Sequence, residues 1–225
     1  GEPFVTHHAA LDTDLYLRLA PELHLKRLLV GGFEKVYELN RSFRNEGLST
    51  RHHPEFTMLE AYCAYEDDTY MMALVKELII EGATVTIGTL QWNYQGRAID
   101  LSKEWEVVSF AELLKHGYGL EPGDGVPAMQ EKLQHPKTGF KALTVKGQSR
   151  SQLLRLVEQL IEPQAKSVPV FVTDYWTELS PLAKAKPEDP LIAERFELFL
   201  GGMEIANAYS ELNDPIEQRR RFEKQ

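Results

Sequence analysis

The stretch from Phe43 to Tyr62, FRNEGLSTRHHPEFTMLEAY, limits the fold more than any other part of this chain. The residues before it, VYELNRSF, read as a strand. The residues after its Gly- and Ser/Thr-containing turn, PEFTMLEAYCAY, read as a second strand. A long antiparallel hairpin from Lys35 to about Tyr65, with a charged loop at its tip, is the expected result. Strand side chains alternate between two faces. Phe56, Met58, Glu60 and Tyr62 therefore share one face, and Thr57, Leu59, Ala61 and Cys63 the other. The second set is small and apolar, suited to packing. The first places a carboxylate between two aromatic rings, which is costly unless a cation meets it. That cation is either a nearby arginine, making Glu60 structural, or part of a ligand.

Around the hairpin the chain alternates short strands and helices. Phe4 and Val5 end one strand and Leu15 to Leu19 form another. Pro21 opens a helix whose apolar stripe is Leu23, Leu25, Leu28 and Leu29, stopped by Gly31-Gly32. Glu22 lies in its first turn, either as a favourable charge at the positive helix end or as a ligand for an ammonium group. Asp67 or Asp68 caps a helix carrying Met72, Val75, Leu78 and Ile79, which is expected to stop near Gly82. A short strand from Thr84 to Ile87 follows, then a second hairpin, Leu90–Tyr94 with Arg97–Leu101, turning at Gln95-Gly96. Ser109-Phe110-Ala111-Glu112 is a capping box. Residues 117–149 are rich in Gly, Pro and polar residues and read as an inserted helical module or a partly mobile region. A helix from Arg150 to Ile161, ended by Pro163, precedes VPVFVTDY. That continuous apolar run suits a central strand.

ERFELFLGGMEIANAYSELND is the second dense stretch. It reads as two antiparallel strands turning at Gly201-Gly202. Simple pairing puts Glu204 opposite Phe199, so Glu197 and Glu204 become diagonal neighbours on one face. Two such carboxylates need a partner, either a bridging Lys or Arg or a divalent cation. Mg²⁺ commonly takes one or two carboxylates together with phosphate oxygens. Asn207, Tyr209 and Glu211 have the opposite parity to Glu204. If Glu204 and Asn207 serve one site, a β-bulge must lie near Ile205-Ala206. Asp214-Pro215-Ile216-Glu217 then starts a last helix with a cap, an N1 proline and an early acid.

Composition excludes some classes. The net charge of −9 argues against a broad basic face for nucleic acid, though not against a local approach by Arg and Lys. No apolar run is long enough to span a bilayer. The N-terminal residues do not resemble a signal peptide. One cysteine, Cys63, leaves no intrachain disulfide and fits a cytoplasmic setting.

FRNEGLSTRHHPEFTMLEAY closely resembles motif 2 of the class II aminoacyl-tRNA synthetases, in the form carried by the lysyl members. PFVTHH, APELHLKRLLVGGFEKVYELNRSFRNE, SPLAK and RFELFLGGMEIANAYSELNDP are similar to the same family in the same order. The resemblance covers nearly everything outside residues 117–149. It implies an α+β fold, an antiparallel sheet flanked by helices, as the catalytic core over residues 1–225. It implies activation of lysine by ATP to lysyl-adenylate, with transfer to tRNA(Lys). Arg44 matches the arginine that binds the α-phosphate and the lysine carboxylate, and so the catalytic residue. Glu46 matches the acid that reads adenine, and Phe56 the ring beneath it. Arg51 and His52 lie where the loop meets the outer phosphates. Glu22 and Glu60 match the pair near the lysine α-amino group. Tyr62 and Glu211 match the residues that receive the side-chain ammonium. Tyr209 lies along the aliphatic stem and Asn207 near the carboxylate. Glu197 and Glu204 match the Mg²⁺ carboxylates.

The same comparison brings departures. No stretch resembles the OB-fold anticodon module, motif 1 or the Gly-rich motif 3, so a partial core is expected. Full-length family members form homodimers. Glu2 stands where a basic residue is expected, and Ala208 where glycine is common. Two rival readings remain at this point. One is the paralogue that attaches lysine or β-lysine to elongation factor P. The other is a non-catalytic synthetase-like module that binds lysine or a partner.

Overall fold

The computed structural model describes residues 2–47, 49, 52–160 and 166–223. The chain divides into two compact units, residues 1–66 and residues 67–225. Among the described residues, no helix is long and apolar enough to cross a membrane.

In the first unit, β1 (Val5–His8) pairs with β2 (Thr13–Tyr16), and α1 covers Glu22–Val30. The expected hairpin follows as β3 (Lys35–Phe43) and β4 (Glu55–Cys63), in unbroken antiparallel register from Lys35 opposite Cys63 to Phe43 opposite Glu55. Two expectations are corrected. The face with Phe56, Met58, Glu60 and Tyr62 is the half-buried one, while Thr57 and Leu59 on the small face are exposed, as are Tyr37 and Leu39 of β3. Of the α1 stripe only Leu25 is buried, and Leu23 and Leu28 are exposed. The register also puts Glu38 directly opposite Glu60. Like charges at facing positions destabilise a sheet. Here Arg18 pairs with Glu38 and neutralises it. The Arg18 carbonyl in turn accepts from Phe43 N at 2.8 Å, tying the segment after β2 to the hairpin.

The second unit opens with α2 (Asp68–Ile87), capped by Asp67, whose side chain accepts from Tyr70 N. The helix does not stop at Gly82, and the expected strand at Thr84–Ile87 is its last turn. The hydroxyls of Thr84 and Thr86 bond back to the carbonyls of Ile80 and Gly82 at 2.8 and 2.6 Å, so these β-branched residues fit the helix. Termination waits for Gly88, which takes the left-handed conformation at φ 69°. β5 (Gln91–Tyr94) and β6 (Arg97–Asp100) form the expected second hairpin. β7 (Glu106–Ser109) runs into α3 (Phe110–Tyr118), where the Ser109 side chain accepts from Glu112 N. Then come α4 (Val126–Leu133), α5 (Ala142–Val145) and α6 (Arg150–Gln159). The expected end of this last helix at Pro163 lies outside the described residues.

β8 (Val170–Thr173), β9 (Arg195–Leu200) and β10 (Met203–Tyr209) complete a sheet ordered β10-β9-β8-β7. β8 is central, and its Val170, Phe171 and Val172 are buried as the apolar run requires. The β7–β8 pair is parallel. The sheet is therefore mixed rather than purely antiparallel, because α3 to α6 carry the chain back to the end from which β7 started. α7 (Pro215–Phe222) closes the chain, with Asp214 accepting from Ile216 N and Glu217 N.

Residues 117–149 contain α4 and α5 and contribute four side chains to the core. Leu120, Met129, Leu133 and Val145 are fully buried together with Leu114, Leu153 and Val157. Each such side chain contributes roughly 1.5–3 kcal/mol on burial. Ile99, Leu101, Trp105, Phe171, Phe196 and Leu198 form a second cluster. It also holds Met71, Met72, Val75 and Ile79 from α2.

The β9–β10 turn needs positive φ at both glycines, 59° at Gly201 and 81° at Gly202. A Cβ on Gly201 would also lie 3.2 Å from Ile99 Cδ1. Gly201→Ala is expected to cost about 1–2 kcal/mol, lowering the thermal midpoint by about 2–8 °C. Gly88→Ala, where a Cβ meets open space, should cost less, and thermal unfolding of the two variants checks the order.

Candidate functional site

The hairpin of the first unit gathers a charged group on its half-buried face. Tyr62 Oη donates to Glu60 Oε2 at 2.9 Å. Glu22, at the start of α1, pairs with Lys26 at 2.6 Å, and the Lys26 ammonium stands 5.9 Å from the Tyr62 ring centroid. The Arg44 guanidinium lies over the Phe56 ring, 5.2 Å from its centroid. The Arg44 backbone N–H bonds to Pro54 O at 2.9 Å, which holds it at the mouth of the loop. Burial pushes the Glu60 carboxyl above its ordinary range. Glu22 and Glu38 push the same way, while the Tyr62 hydrogen bond and the Arg44 charge oppose them. Desolvation is the largest effect, so Glu60 is a carboxylate short of positive charge.

The loop residues are less enclosed. Glu46 and His52 are exposed, and His52 Nδ1 lies 2.8 Å from Ser49 Oγ. Arg51 lies outside the described residues.

In the second unit the strand pair β9–β10 carries the rest. Glu204 faces Phe199, as expected, and the register then slips between Glu204 and Ala206. Asn207 is brought opposite Glu197. The extra residue returns Asn207 to the Glu204 face. Its Nδ2 donates to Glu197 Oε1 at 3.3 Å and to Glu204 Oε1 at 3.4 Å. Glu197 is further held by Arg195 Nη2 on Oε1 at 2.5 Å and by Tyr175 Oη on Oε2 at 2.7 Å. Burial and the neighbouring Glu197 charge raise the Tyr175 pKa, keeping it a neutral donor. Tyr209 and Asn207 line a cleft of about 260 Å³ with Leu179, Ser180, Pro181, Leu182, Ala183 and Arg195. Glu211 is half-buried beside it. A backbone bridge to Ala183 holds it there, flanked by Lys184 N to Ser210 O and Leu212 N to Leu182 O, both 2.8 Å. The SPLAK and YSEL segments thus pair edge to edge.

A hard divalent cation fits this oxygen set in one specific way. Glu197 and Glu204 converge on one amide, so their oxygens already lie close together. No group of three or more His, Cys, Asp or Glu suited to a metal occurs among the described residues, and Arg195 neutralises part of the Glu197 charge. Two carboxylates with part of their charge offset by Arg195 are hard oxygen donors of the kind a divalent cation takes.

The whole chain, residues 1–225, matches the family model for tRNA synthetases class II (D, K and N). The chain belongs to the class II tRNA synthetases. It is 53% identical to the lysine–tRNA ligase of Pelotomaculum thermopropionicum over 234 residues, covering 100% of this chain and 44% of that protein. It is 49% identical to the lysine–tRNA ligase of Carboxydothermus hydrogenoformans, covering 100% and 46%. With the Thermotoga maritima lysine–tRNA ligase the identity is 46%, covering 99% and 43%. The chain thus spans less than half the length of these relatives.

Set on the synthetase chain, the sequence-derived residues fall into two groups. Glu22, Arg44, Phe56, Glu60 and Tyr62 lie in the first unit. Glu197, Glu204, Asn207, Tyr209 and Glu211 lie in the second. Sequence reasoning did not single out Arg195 or Tyr175. The signal for Arg195 was present: it precedes Glu197 by two on a strand and must share its face. Tyr175 carries no such signal, since it reaches Glu197 from the loop after β8.

The balance at Glu60 can be tested directly. Tyr62→Phe removes the hydrogen bond that favours the carboxylate, so the Glu60 pKa should rise further. Carboxyl ¹³C NMR across the acid range checks the sign. Glu60 has a folded-state pKa above its unfolded value, so it makes folding less favourable above that pH and the variant enlarges this cost.

Proposed function

We propose that the chain is the catalytic part of a lysine–tRNA ligase, which activates lysine with ATP and passes the lysyl group to tRNA(Lys). The family model spans enzymes for aspartate, lysine and asparagine alike. The observation that favours lysine is the acidic character of both stretches: Glu22 and the desolvated Glu60 on the hairpin unit, and Glu211 beside the cleft of the other. A substrate with two ammonium groups complements such carboxylates, whereas aspartate adds a like charge. The names of the relatives support the same choice.

In this reading Arg44 binds the α-phosphate and the lysine carboxylate. A planar guanidinium forks onto oxyanions and carries its charge at every working pH. Phe56, already against Arg44, lies under adenine, and Glu46 reads its edge. Arg51 and His52 meet the outer phosphates. Glu22 and Glu60 receive the α-ammonium. Tyr62 and Glu211 receive the side-chain ammonium, with Tyr209 along the stem and Asn207 near the carboxylate. Glu197 and Glu204 would hold Mg²⁺, which when bound would offset charge on the polyphosphate. The lysine carboxylate attacks the α-phosphorus and pyrophosphate leaves, with the protein contributing placement and charge rather than a covalent intermediate. The enzyme works in the cytoplasm and as a homodimer.

ATP–pyrophosphate exchange tests the proposal. Exchange should require lysine and should not occur with aspartate or asparagine. Glu211→Gln keeps the shape but removes a charge-assisted bond, so the lysine KM should rise roughly 10- to 100-fold. An unchanged KM would mean that another acid reads the side chain. Lysine affinity should also weaken as pH falls, starting above the ordinary carboxylate range, because Glu60 is protonated early. Glu60→Gln should flatten that limb.

A further inference from the structure

We propose that Arg195 is a positioning residue of this site and acts by fixing the amide of Asn207. The inference deepens the lysine–tRNA ligase reading and rests on it for its catalytic consequence.

Every nitrogen of the Arg195 guanidinium has an acceptor. Nε donates to Asn207 Oδ1 at 3.2 Å. Nη2 donates to Glu197 Oε1 at 2.5 Å. Nη1 donates to Leu179 O at 2.9 Å and to Ser180 Oγ at 3.0 Å. The guanidinium carbon stands 4.5 Å from the Tyr175 ring centroid. Its side chain is 12% exposed. One planar group thus joins β9, β10 and the cleft wall at Leu179-Ser180.

The consequence concerns which way Asn207 points. Its amide has an acceptor end and a donor end of nearly equal size, so shape alone does not choose between them. Arg195 only donates, so Oδ1 must face it. Glu197 and Glu204 as carboxylates only accept, so Nδ2 must face them. The donor that Asn207 turns toward the carboxylate pair is therefore set from behind, by a residue with no place in the lysine or ATP roles above. If Oδ1 were released, the amide would rotate and present an acceptor to two anions. A lysine at position 195 keeps the charge but has neither the fork nor the fixed plane needed to hold Asn207, Glu197 and the Leu179-Ser180 wall together.

The test is a double-mutant cycle, run on the longest protein that carries this sequence. Arg195→Lys and Asn207→Ala should each lower kcat/KM in lysine-dependent exchange by roughly 10- to 100-fold. The double variant should be no worse than the weaker single, because the first change already disables the second residue. Multiplicative losses would overturn the proposal. A second measurement needs no activity. In ¹⁵N-labelled protein the Asn207 side-chain amide should leave its wild-type shift in Arg195→Lys and move toward the values of exposed asparagines. Ser180→Ala, which removes one anchor of Arg195 and disturbs neither carboxylate, should move it the same way by less. An Asn207 amide unmoved in both variants would overturn the positioning role. Absence of lysine-dependent exchange in the wild-type protein would instead count against the ligase reading, and the amide shifts would still decide the role of Arg195.

Discussion

One inserted residue in β10 governs the chemistry of the second unit. On a regular ladder Glu204 and Asn207, three apart, face opposite ways, and neither could share a ligand with the other. The slip between Glu204 and Ala206 restores them to one face and sets Asn207 opposite Glu197. Two glycines at positive φ start the strand and two carboxylates converge on it. Neither arrangement would have chemical meaning if the register ran straight. Bulges bend a strand and re-aim its side chains at the expense of a ladder bond. Here the re-aimed side chain is the amide that both acids share.

Charge compensation follows a different pattern in each unit. On the hairpin, Glu38 and Glu60 oppose one another, and Arg18 forms an ion pair with Glu38. Glu60 keeps a phenol for its partner, and its pKa rises with burial. On the strand pair, Glu197 accepts from Arg195, Tyr175 and Asn207. The first arrangement gives a carboxyl whose charged form is disfavoured by burial. The second makes a carboxylate rigid, with its orientation settled in advance. Both suit a reaction that depends on placement.

The hairpins, the central strand, the capped helices and the bulge were legible in the sequence because each rests on local period or local turn chemistry. Glu204 opposite Phe199 follows from the Gly-Gly turn, and the bulge from requiring Glu204 and Asn207 to cooperate. What failed depends on the surroundings of an element. Thr84–Ile87 carries strand-favouring residues, yet its hydroxyls bond back along α2 and Gly82 does not end the helix. The small face of β4 looks suited to packing, but its Thr57 and Leu59 are exposed and only Ala61 and Cys63 are half-buried, while the charged face is half-buried throughout. β7 was not foreseen, and neither was its parallel pairing, because the return through α3 to α6 is a matter of topology. Residues 117–149 carry helices, one of the two readings open for them, but composition did not single out their buried side chains Leu120, Met129, Leu133 and Val145.

Burial is distributed unequally between the units. Among the described residues of the first, only Pro21, Leu25 and Ser42 are buried, while the second holds two apolar clusters. Few buried contacts mean a low free energy for local opening, so the hairpin belongs to the least protected part of the molecule in hydrogen exchange. Any ligand that bound to this unit would lend it order, and its observed affinity would be the intrinsic affinity reduced by the work of that ordering.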